Sequence, residues 1–408
     1  MSEPTQPRTR RGSDSIEVKR IARLLSEGDP EDLRKIFASD ELADAGEGAS
    51  RAVSLAARFA AKEACLKIFP RERELKEIEL ADFSVRRNGH GNPSIVPSRR
   101  AQRLLDQYRL GDIEISLAQD GERADAVAVA SLVRAAPGAA GRLIYHLLPV
   151  RRRTIMRNLR RVFGGKIPDE EIVRLAQASY GHFARLIWEF ACLSVLSEKA
   201  KSSLVRVEND QAIRRAHELG HGILILTGHF GNWELIGVAA IVQFPQYRDR
   251  FHFLRKPLRP ALLDAMVKRR FRRAGLGVIE SKGSLYKIID ALAASDAVAF
   301  VMDQHAGGRD GVSVDFFGVP ANTFRSLAII ALQTGAPVVP CAAYRDRDGK
   351  HVLQFDEALP AIGHDDPNEA IRLNTRAYNE ALERMVLRHP EQWFWMHNRW
   401  KAADGSTL

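Results

Sequence analysis

The chain is 408 residues long, 45% hydrophobic and 27% charged, the composition of a soluble globular protein with room for two or three domains. Its net charge of +10 points to anionic partners: phosphate-bearing lipids, carrier proteins, CoA or nucleic acid. Three cysteines, Cys65, Cys192 and Cys341, lie far apart, which excludes a disulfide framework and zinc-ligand spacing and fits a reducing compartment.

The start, Met1 to Arg11, is polar and basic and lacks the apolar core of a signal peptide. No uncharged run approaches the roughly 20 residues of a spanning helix, so the expectation is a cytoplasmic protein or one lying on a membrane. Residues 12–134 read as a separate α+β unit. The segment entering it, Arg8-Thr9-Arg10-Arg11-Gly12, is a poor buried strand. Ser54–Ala64 is an Ala-rich helix with apolar residues at helical spacing. Strand character over Glu77–Val85 leads to the turn-rich Asn88–Pro93, then a helix over Arg99–Tyr108 and strands over Asp112–Leu117 and Ala124–Leu132.

A flexible linker, Arg134–Gly141, precedes the second domain, 142–402. Arg151, Arg152, Arg153, Arg157, Arg160 and Arg161 make its entry helix basic. The next helix, Glu170–Leu196, carries Phe183, Leu186, Ile187, Trp188, Phe190 and Leu193, a stripe that suits a core and, beside the arginines, also an interfacial helix. Gly222–Leu226 reads as a buried strand and Leu235–Val242 as a buried helix. Strands over Phe251–Leu254, Ala297–Met302 and Val338–Tyr344 then alternate with helices over Arg259–Ala274, Ser284–Ala294, Phe324–Thr334 and Asn368–His389. This alternation predicts an α/β domain with a mixed sheet flanked by helices.

Between that first strand and helix lies Thr227-Gly228-His229-Phe230-Gly231-Asn232-Trp233-Glu234, a strand-to-helix turn of the kind where α/β folds place chemistry. Asn232 is suited to cap the helix. On one regular helix His229 and Glu234 would point about 140° apart. The carboxylate meets the imidazole only if His229 sits in the turn and Glu234 in the first helical turn, and the pair would then work as an oriented general base. The spacing alone equally admits a surface histidine beside a helix-starting glutamate.

Gly228-His229-Phe230-Gly231-Asn232-Trp233-Glu234 resembles the His-x4-Asp/Glu signature of the lipid A late acyltransferases, the lauroyl/myristoyl branch of the lysophospholipid acyltransferase superfamily. Later blocks in family order are Val301-Met302-Asp303-Gln304-His305, Val314-Asp315-Phe316-Phe317-Gly318-Val319-Pro320-Ala321-Asn322-Thr323 and Gln392–Lys401. The resemblance implies acyl transfer from acyl carrier protein or acyl-CoA to a lipid hydroxyl, with His229 and Glu234 catalytic. It implies substrate contacts from Asn232, Arg255, Asp303, Phe317, Gly318 and Thr323, with Phe317 and Gly318 beside an acyl groove. Backbone N–H groups at Gly231 and Asn232, with Arg255, are the expected oxyanion donors. No metal is expected in this domain.

In the first unit, Gly12-Ser13-Asp14 through Ile21, Arg58–Ala64, Gly91-Asn92-Pro93 and the strands after Ile115 resemble the holo-acyl-carrier-protein synthases, which are small phosphopantetheinyl transferases. The resemblance implies CoA and Mg²⁺ as cofactors, Asp14 and Glu63 as metal ligands, and Lys62 with Arg58 at the CoA phosphates. The partners it implies are acyl carrier protein, a membrane lipid acceptor and an anionic membrane surface, on the cytoplasmic face of the inner membrane. Tethering two units that handle the same carrier would raise their effective concentration. Alternatives are a phosphopantetheinyl transferase whose larger domain docks on membrane, and an acyltransferase for a glycerophospholipid. No recognisable nucleic-acid module accompanies the basic clusters, so nucleic acid is not an expected partner.

Overall fold

A computed structural model of the chain describes residues 9–69, 78–87, 91–148, 150–192, 203–233, 237, 241–257, 260–281, 283–346 and 348–401. The chain divides into two compact units, Met1–Ala135 with Phe163–Ile172, and Ala136–Val162 with Val173–Leu408. Both units mix helix and strand.

In the first unit, strands β1 (Thr9–Glu17), β4 (Leu110–Gln119) and β5 (Arg123–Leu132) form an antiparallel sheet in the order β1-β5-β4. A hairpin of β2 (Phe83–Arg87) and β3 (Pro93–Pro97) accompanies it. On β5, Ala124, Ala126, Ala128 and Ala130 alternate inward and are buried. Their small side chains let the helix Ala49–Leu66 approach closely, with Leu55, Ala56, Ala60, Ala61, Ala64 and Cys65 buried in the same core. Of the charged entry segment, Arg8 lies outside the described residues and Thr9–Gly12 open a strand at the sheet's edge. As an edge strand, β1 can turn Arg11 to solvent and Gly12 inward, and the Arg10 guanidinium lies 4.6 Å from the Tyr108 ring centre. The Glu77–Val85 expectation is only partly met: Glu77 lies outside the described residues, Leu80–Asp82 forms a 3₁₀ turn, and the strand starts at Phe83.

The second unit is built on a seven-stranded sheet with the order β6-β14-β13-β7-β10-β8-β9. Its strands are β6 (Val205–Glu208), β7 (Ile223–Thr227), β8 (Phe251–Arg255), β9 (Gly277–Glu280), β10 (Ala297–Val301), β13 (Val338–Arg345) and β14 (His351–Phe355). All neighbours run parallel except β13 and β14. Ile223–Leu226 and Ala297–Phe300 are wholly buried because both sheet faces are covered, which is why these strands read as continuous apolar runs.

Helices Ala261–Ala274, Leu285–Ala293, Ser326–Thr334 and Pro367–Arg388 flank the sheet. Phe324 ends a strand instead of starting a helix: β11 (Gly311–Phe316) and β12 (Val319–Phe324) make a separate hairpin. Ile187 and Trp188, at 61% and 69% exposure, stand outside the core on the helix Asp169–Cys192; Leu193 lies outside the described residues. Among the described residues, no helix is long and apolar enough to cross a membrane.

Candidate active site

Sheet register assembles the site in the second unit. Thr227, the last residue of β7, pairs with Val301, the last of β10, in parallel. His229 and Asp303 each lie two residues further on, so the register itself brings them side by side. The His229 backbone N–H donates to Asp303 Oδ2 at 2.6 Å, and His229 Nδ1 lies 2.8 Å from Asp303 Oδ1. The Trp393 indole N–H donates to Oδ2 at 2.8 Å. Gly228 permits this closeness: a Cβ there would fall 2.8 Å from Asp303 Oδ2 and 2.7 Å from the Phe230 ring.

Burial works to raise the Asp303 carboxyl. The His229 imidazole and the hydrogen bonds from His229 and Trp393 outweigh it and bring it down to about 2. An ionised Asp303 only accepts, so the His229 Nδ1 that faces it carries a proton, and in the neutral ring the lone pair is then on Nε2. Gln304 Nε2 stands 3.4 Å from that Nε2. The ring is held edge-on to Trp233 at 5.1 Å and beside Phe394 at 5.9 Å between ring centres. The closing segment locks the turn: Gly231 N–H donates to Gln392 O at 3.0 Å and Phe394 N–H to His229 O at 3.1 Å.

His229 lines a cavity of about 1010 Å³, at the upper end of the roughly 300–1,000 Å³ of small-molecule sites. Its polar lining includes Arg255, Lys256, Ser281, Ser284 and Gln304, all just at or beyond the carboxyl ends of β8, β9 and β10. Its body is apolar, with Ile225, Phe253, Phe271, Leu276, Ala299 and Phe355 among the walls. The volume and the largely apolar lining, polar near His229, suit a large apolar group with a reactive polar end.

Several expected roles change. Glu234 lies outside the described residues, and the carboxylate that meets His229 Nδ1 is Asp303, placed by the sequence reading among the substrate contacts. Asn232 is 1% exposed and donates to Glu189 Oε2 at 3.0 Å, so it does not face a substrate. Glu189 also takes an Arg345 Nη2 bond at 2.6 Å, making a partly buried ionic cluster with Asn232. Phe317 and Gly318, with φ of 54° and 72°, form the two-residue turn of the β11–β12 hairpin. The Phe317 N–H donates to Glu383 Oε1 at 2.7 Å, and neither residue lines the cavity. Thr323 is fully buried and accepts from Arg399 Nη2 at 2.6 Å, so it too is structural. The Gly231 N–H is engaged by Gln392 and leaves the expected oxyanion set. Arg255 stays on the cavity wall, 3.7 Å from Asp264, with Nη1 buried and lacking a hydrogen-bond partner among the described residues.

In the first unit, Gly12 lets the helix Ala49–Leu66 press onto β1: a Cβ there would fall 2.0 Å from Ala64 O and 3.0 Å from Lys67 Cβ. Lys67, at the end of that helix, reaches Asp14 Oδ1 at 2.7 Å and Ser13 O at 3.1 Å. Glu63 is one turn back on the same helix face. Lys67 was missed by the sequence reading, although its spacing of four from Glu63 carried the signal.

Lys62, expected at the CoA phosphates, is fully buried. Its Nζ donates to Glu41 Oε2 at 2.6 Å, Phe83 O at 2.9 Å and Leu80 O at 3.2 Å, which uses all three donors. Burial lowers its pKa, with Glu41 opposing. Lys62 is therefore a core ion pair, not a phosphate ligand. Arg58 is half-buried and bonds Ser54 on its own helix. Among the described residues, no group of three or more His, Cys, Asp or Glu is arranged to hold a metal ion.

Comparison with known proteins agrees with both units. Residues 127–402 match the family model "Bacterial lipid A biosynthesis acyltransferase", and residues 11–125 match the 4'-phosphopantetheinyl transferase superfamily. Similar relatives include a phosphatidylinositol mannoside acyltransferase of Mycolicibacterium smegmatis, 23% identical over 254 residues, 61% of this chain and 79% of that one. A lipid A biosynthesis acyltransferase of Haemophilus influenzae is 23% identical over 245 residues, 60% of this chain and 71% of that one. A holo-[acyl-carrier-protein] synthase of Syntrophus aciditrophicus is 30% identical over 118 residues, 29% of this chain and 91% of that one. The chain belongs to the bacterial lipid A biosynthesis acyltransferase family, an enzyme family, and carries a 4'-phosphopantetheinyl transferase superfamily domain ahead of its acyltransferase domain.

Proposed function

We propose that the second domain, 142–402, moves an acyl group from acyl carrier protein, or from acyl-CoA, to a hydroxyl of a membrane lipid of the lipid A glycolipid class. The observation that carries this reading is the His229–Asp303 pair, which orients the imidazole in the wall of a large apolar cavity. Asp303 holds the Nδ1 proton and so fixes the productive tautomer. The acceptor hydroxyl gives its proton to Nε2 as its oxygen attacks the thioester carbonyl. Negative charge gathers on the carbonyl oxygen, for which Arg255 and Gln304 are two of the side-chain donors on the cavity wall. The C–S bond then breaks, the imidazolium proton passes to sulfur, and ester and thiol leave. No metal takes part in these steps.

The first domain, 12–134, in this reading transfers phosphopantetheine from CoA to apo-carrier protein. Asp14 and Glu63 offer hard oxygen ligands that suit Mg²⁺, an ion that takes one or two carboxylates and completes its shell with water and phosphate oxygens. The bound ion would neutralise pyrophosphate charge, and Lys67, beside Asp14, adds a cation at the phosphates. The protein then works peripherally on the cytoplasmic face of the inner membrane.

The test is mass spectrometry on purified full chain given an acyl-carrier thioester and a panel of acceptors: a lipid A precursor, a glycerophospholipid and a phosphatidylinositol mannoside. An acceptor heavier by one acyl chain, absent with His229→Ala and with Asp303→Asn, supports the reading and names the lipid. The Asp14–Lys67 pair favours a second outcome, phosphopantetheine added to apo-carrier by the parent and not by Asp14→Ala. If that is the only product, the main activity belongs to the first domain.

A further inference from the structure

Large apolar side chains stand in water close to the cavity. Leu262 is 74% exposed and Met266 59%, one turn apart on the helix Ala261–Ala274. Tyr286 is 79% and Leu285 45% exposed, in the first turn of the helix Leu285–Ala293. These helices follow β8 and β9, so both begin at the carboxyl ends of the parallel strands, the edge from which the polar cavity lining projects. One contact ties each pair to that lining. Leu285 itself lines the cavity, and Asp264, between Leu262 and Met266, lies 3.7 Å from the cavity residue Arg255. Exposed cations flank it: Lys256, Lys287 and Arg269.

We propose that Leu262, Met266, Leu285 and Tyr286 form a docking rim that enters the surface of an anionic lipid bilayer. Apolar side chains of this size, exposed on two helices that both begin beside one cavity, suit a rim that another apolar phase covers. The surrounding lysines and arginine complement anionic headgroups and oppose burial against another basic surface. Continuity with the cavity selects a bilayer as the phase covering the rim, since a lipid acceptor could then pass from membrane to His229 without crossing water. This last step rests on the acyl-transfer reading; the docking itself does not.

The experiment is flotation of the full chain with vesicles of phosphatidylcholine, with and without phosphatidylglycerol. The parent should float with the anionic vesicles. Leu262→Ser combined with Tyr286→Ser should weaken partition about a hundredfold, roughly a factor of ten for each inserted side chain. Lys287→Gln should weaken it only where phosphatidylglycerol is present. Both changes lie at exposed positions, so thermal unfolding should match the parent. A double variant that floats like the parent overturns the proposal. So does a parent that ignores vesicles but forms a dimer, or binds acyl carrier protein, through these same residues. Detergent-solubilised acceptor separates the two readings. If the double variant loses vesicles while neither it nor the parent acylates any lipid, the docking stands and the acyl-transfer reading fails.

Discussion

Asp303→Asn tests the site most directly, because the structure dictates how the amide must sit. The carboxylate accepts three hydrogen bonds: Oδ2 from the His229 backbone and from Trp393, and Oδ1 from His229 Nδ1. Asparagine must place its NH₂ at one of these two positions. At Oδ2 it would confront two fixed N–H donors in a fully buried spot, leaving polar hydrogens unsatisfied at about 1–3 kcal/mol each. At Oδ1 it confronts only an imidazole, which can answer by moving its proton. The amide therefore turns its NH₂ toward Nδ1, the ring keeps its proton on Nε2, and the base loses its lone pair on the substrate side.

The same substitution left a Ser-His-Asp triad with kcat lower by about 10⁴ through the wrong tautomer, and a fall of about 10³–10⁴ is expected here with KM little changed. Acyl transfer should be followed by mass spectrometry across pH, with thermal unfolding alongside. A carboxyl brought from its usual 3.8 to about 2 favours its charged form by about 2 kcal/mol. Because the folded value is depressed, that stability is present above the unfolded value near 4 and is lost as pH falls toward 2. Asn should thus remove this increment at neutral pH and flatten the parent's acid limb between those values. Activity within tenfold of the parent, with an unchanged fold, would refute Asp303 as the group that orients His229.

Lys62→Met should cost about 3–5 kcal/mol, because it strands the buried Glu41 carboxylate; whatever protein stays folded should bind CoA as the parent does, which equilibrium unfolding and calorimetry would check. Lys67→Ala, by contrast, removes an exposed cation beside Asp14; phosphopantetheine transfer should fall on the order of a hundredfold or more while stability moves by less than about 1 kcal/mol. Burial holds His182, His351 and His397 down to about 4. Their folded values are depressed, so stability is full above about 6.5 and should fall between there and about 4, by up to roughly 1.4 kcal/mol per pH unit for each; urea unfolding across that window reads it. Asn232→Asp would set a second carboxylate about 3.0 Å from Glu189, raising the carboxyl pKa values of the pair. Its stability deficit against the parent should shrink as pH falls, and a deficit constant from neutral pH to 4 would sink the idea.

The fold was legible where burial wrote a simple pattern. β7 and β10 announce themselves as unbroken apolar runs because helices cover both faces, and the turn after β7 that holds His229 follows from Gly228 and the run before it; most of the helix expected over Leu235–Val242 lies outside the described residues. The partner of His229 was not legible. Asp303 lies 74 residues away, and only the parallel register of two strands makes it a neighbour, whereas Glu234 stands nearby in sequence. No strand is read in the hairpin Gly311–Phe324, because its Phe-Phe-Gly turn falls in the middle of the block and interrupts the alternation. Short strands such as β6, β9 and β14 carry too few residues for a period to show. Lys62 misled for a different reason: lysine is almost never fully buried unless paired, and its partner Glu41 lies 21 residues upstream with no local mark.

Lys67 was within reach of helical geometry. Successive residues point about 100° apart, so Lys62 and Glu63 could not both face one ligand, whereas Glu63 and Lys67, four apart, can. The same care with atoms bears on why two domains share one chain. On the proposed reading, the first domain yields a carrier with a free thiol, while the second consumes a thioester. The product of one is not the substrate of the other; an acylating reaction must stand between them. Acyl transfer also returns the carrier as a thiol, so phosphopantetheine is attached once per carrier while acyl groups pass many times. Tethering raises effective concentration only for events in which both partners remain bound, and no intermediate here fits that condition across both steps. The fusion is better explained by shared recognition. On that reading both domains recognise the same carrier, and the carrier protein becomes the level at which specificity is set.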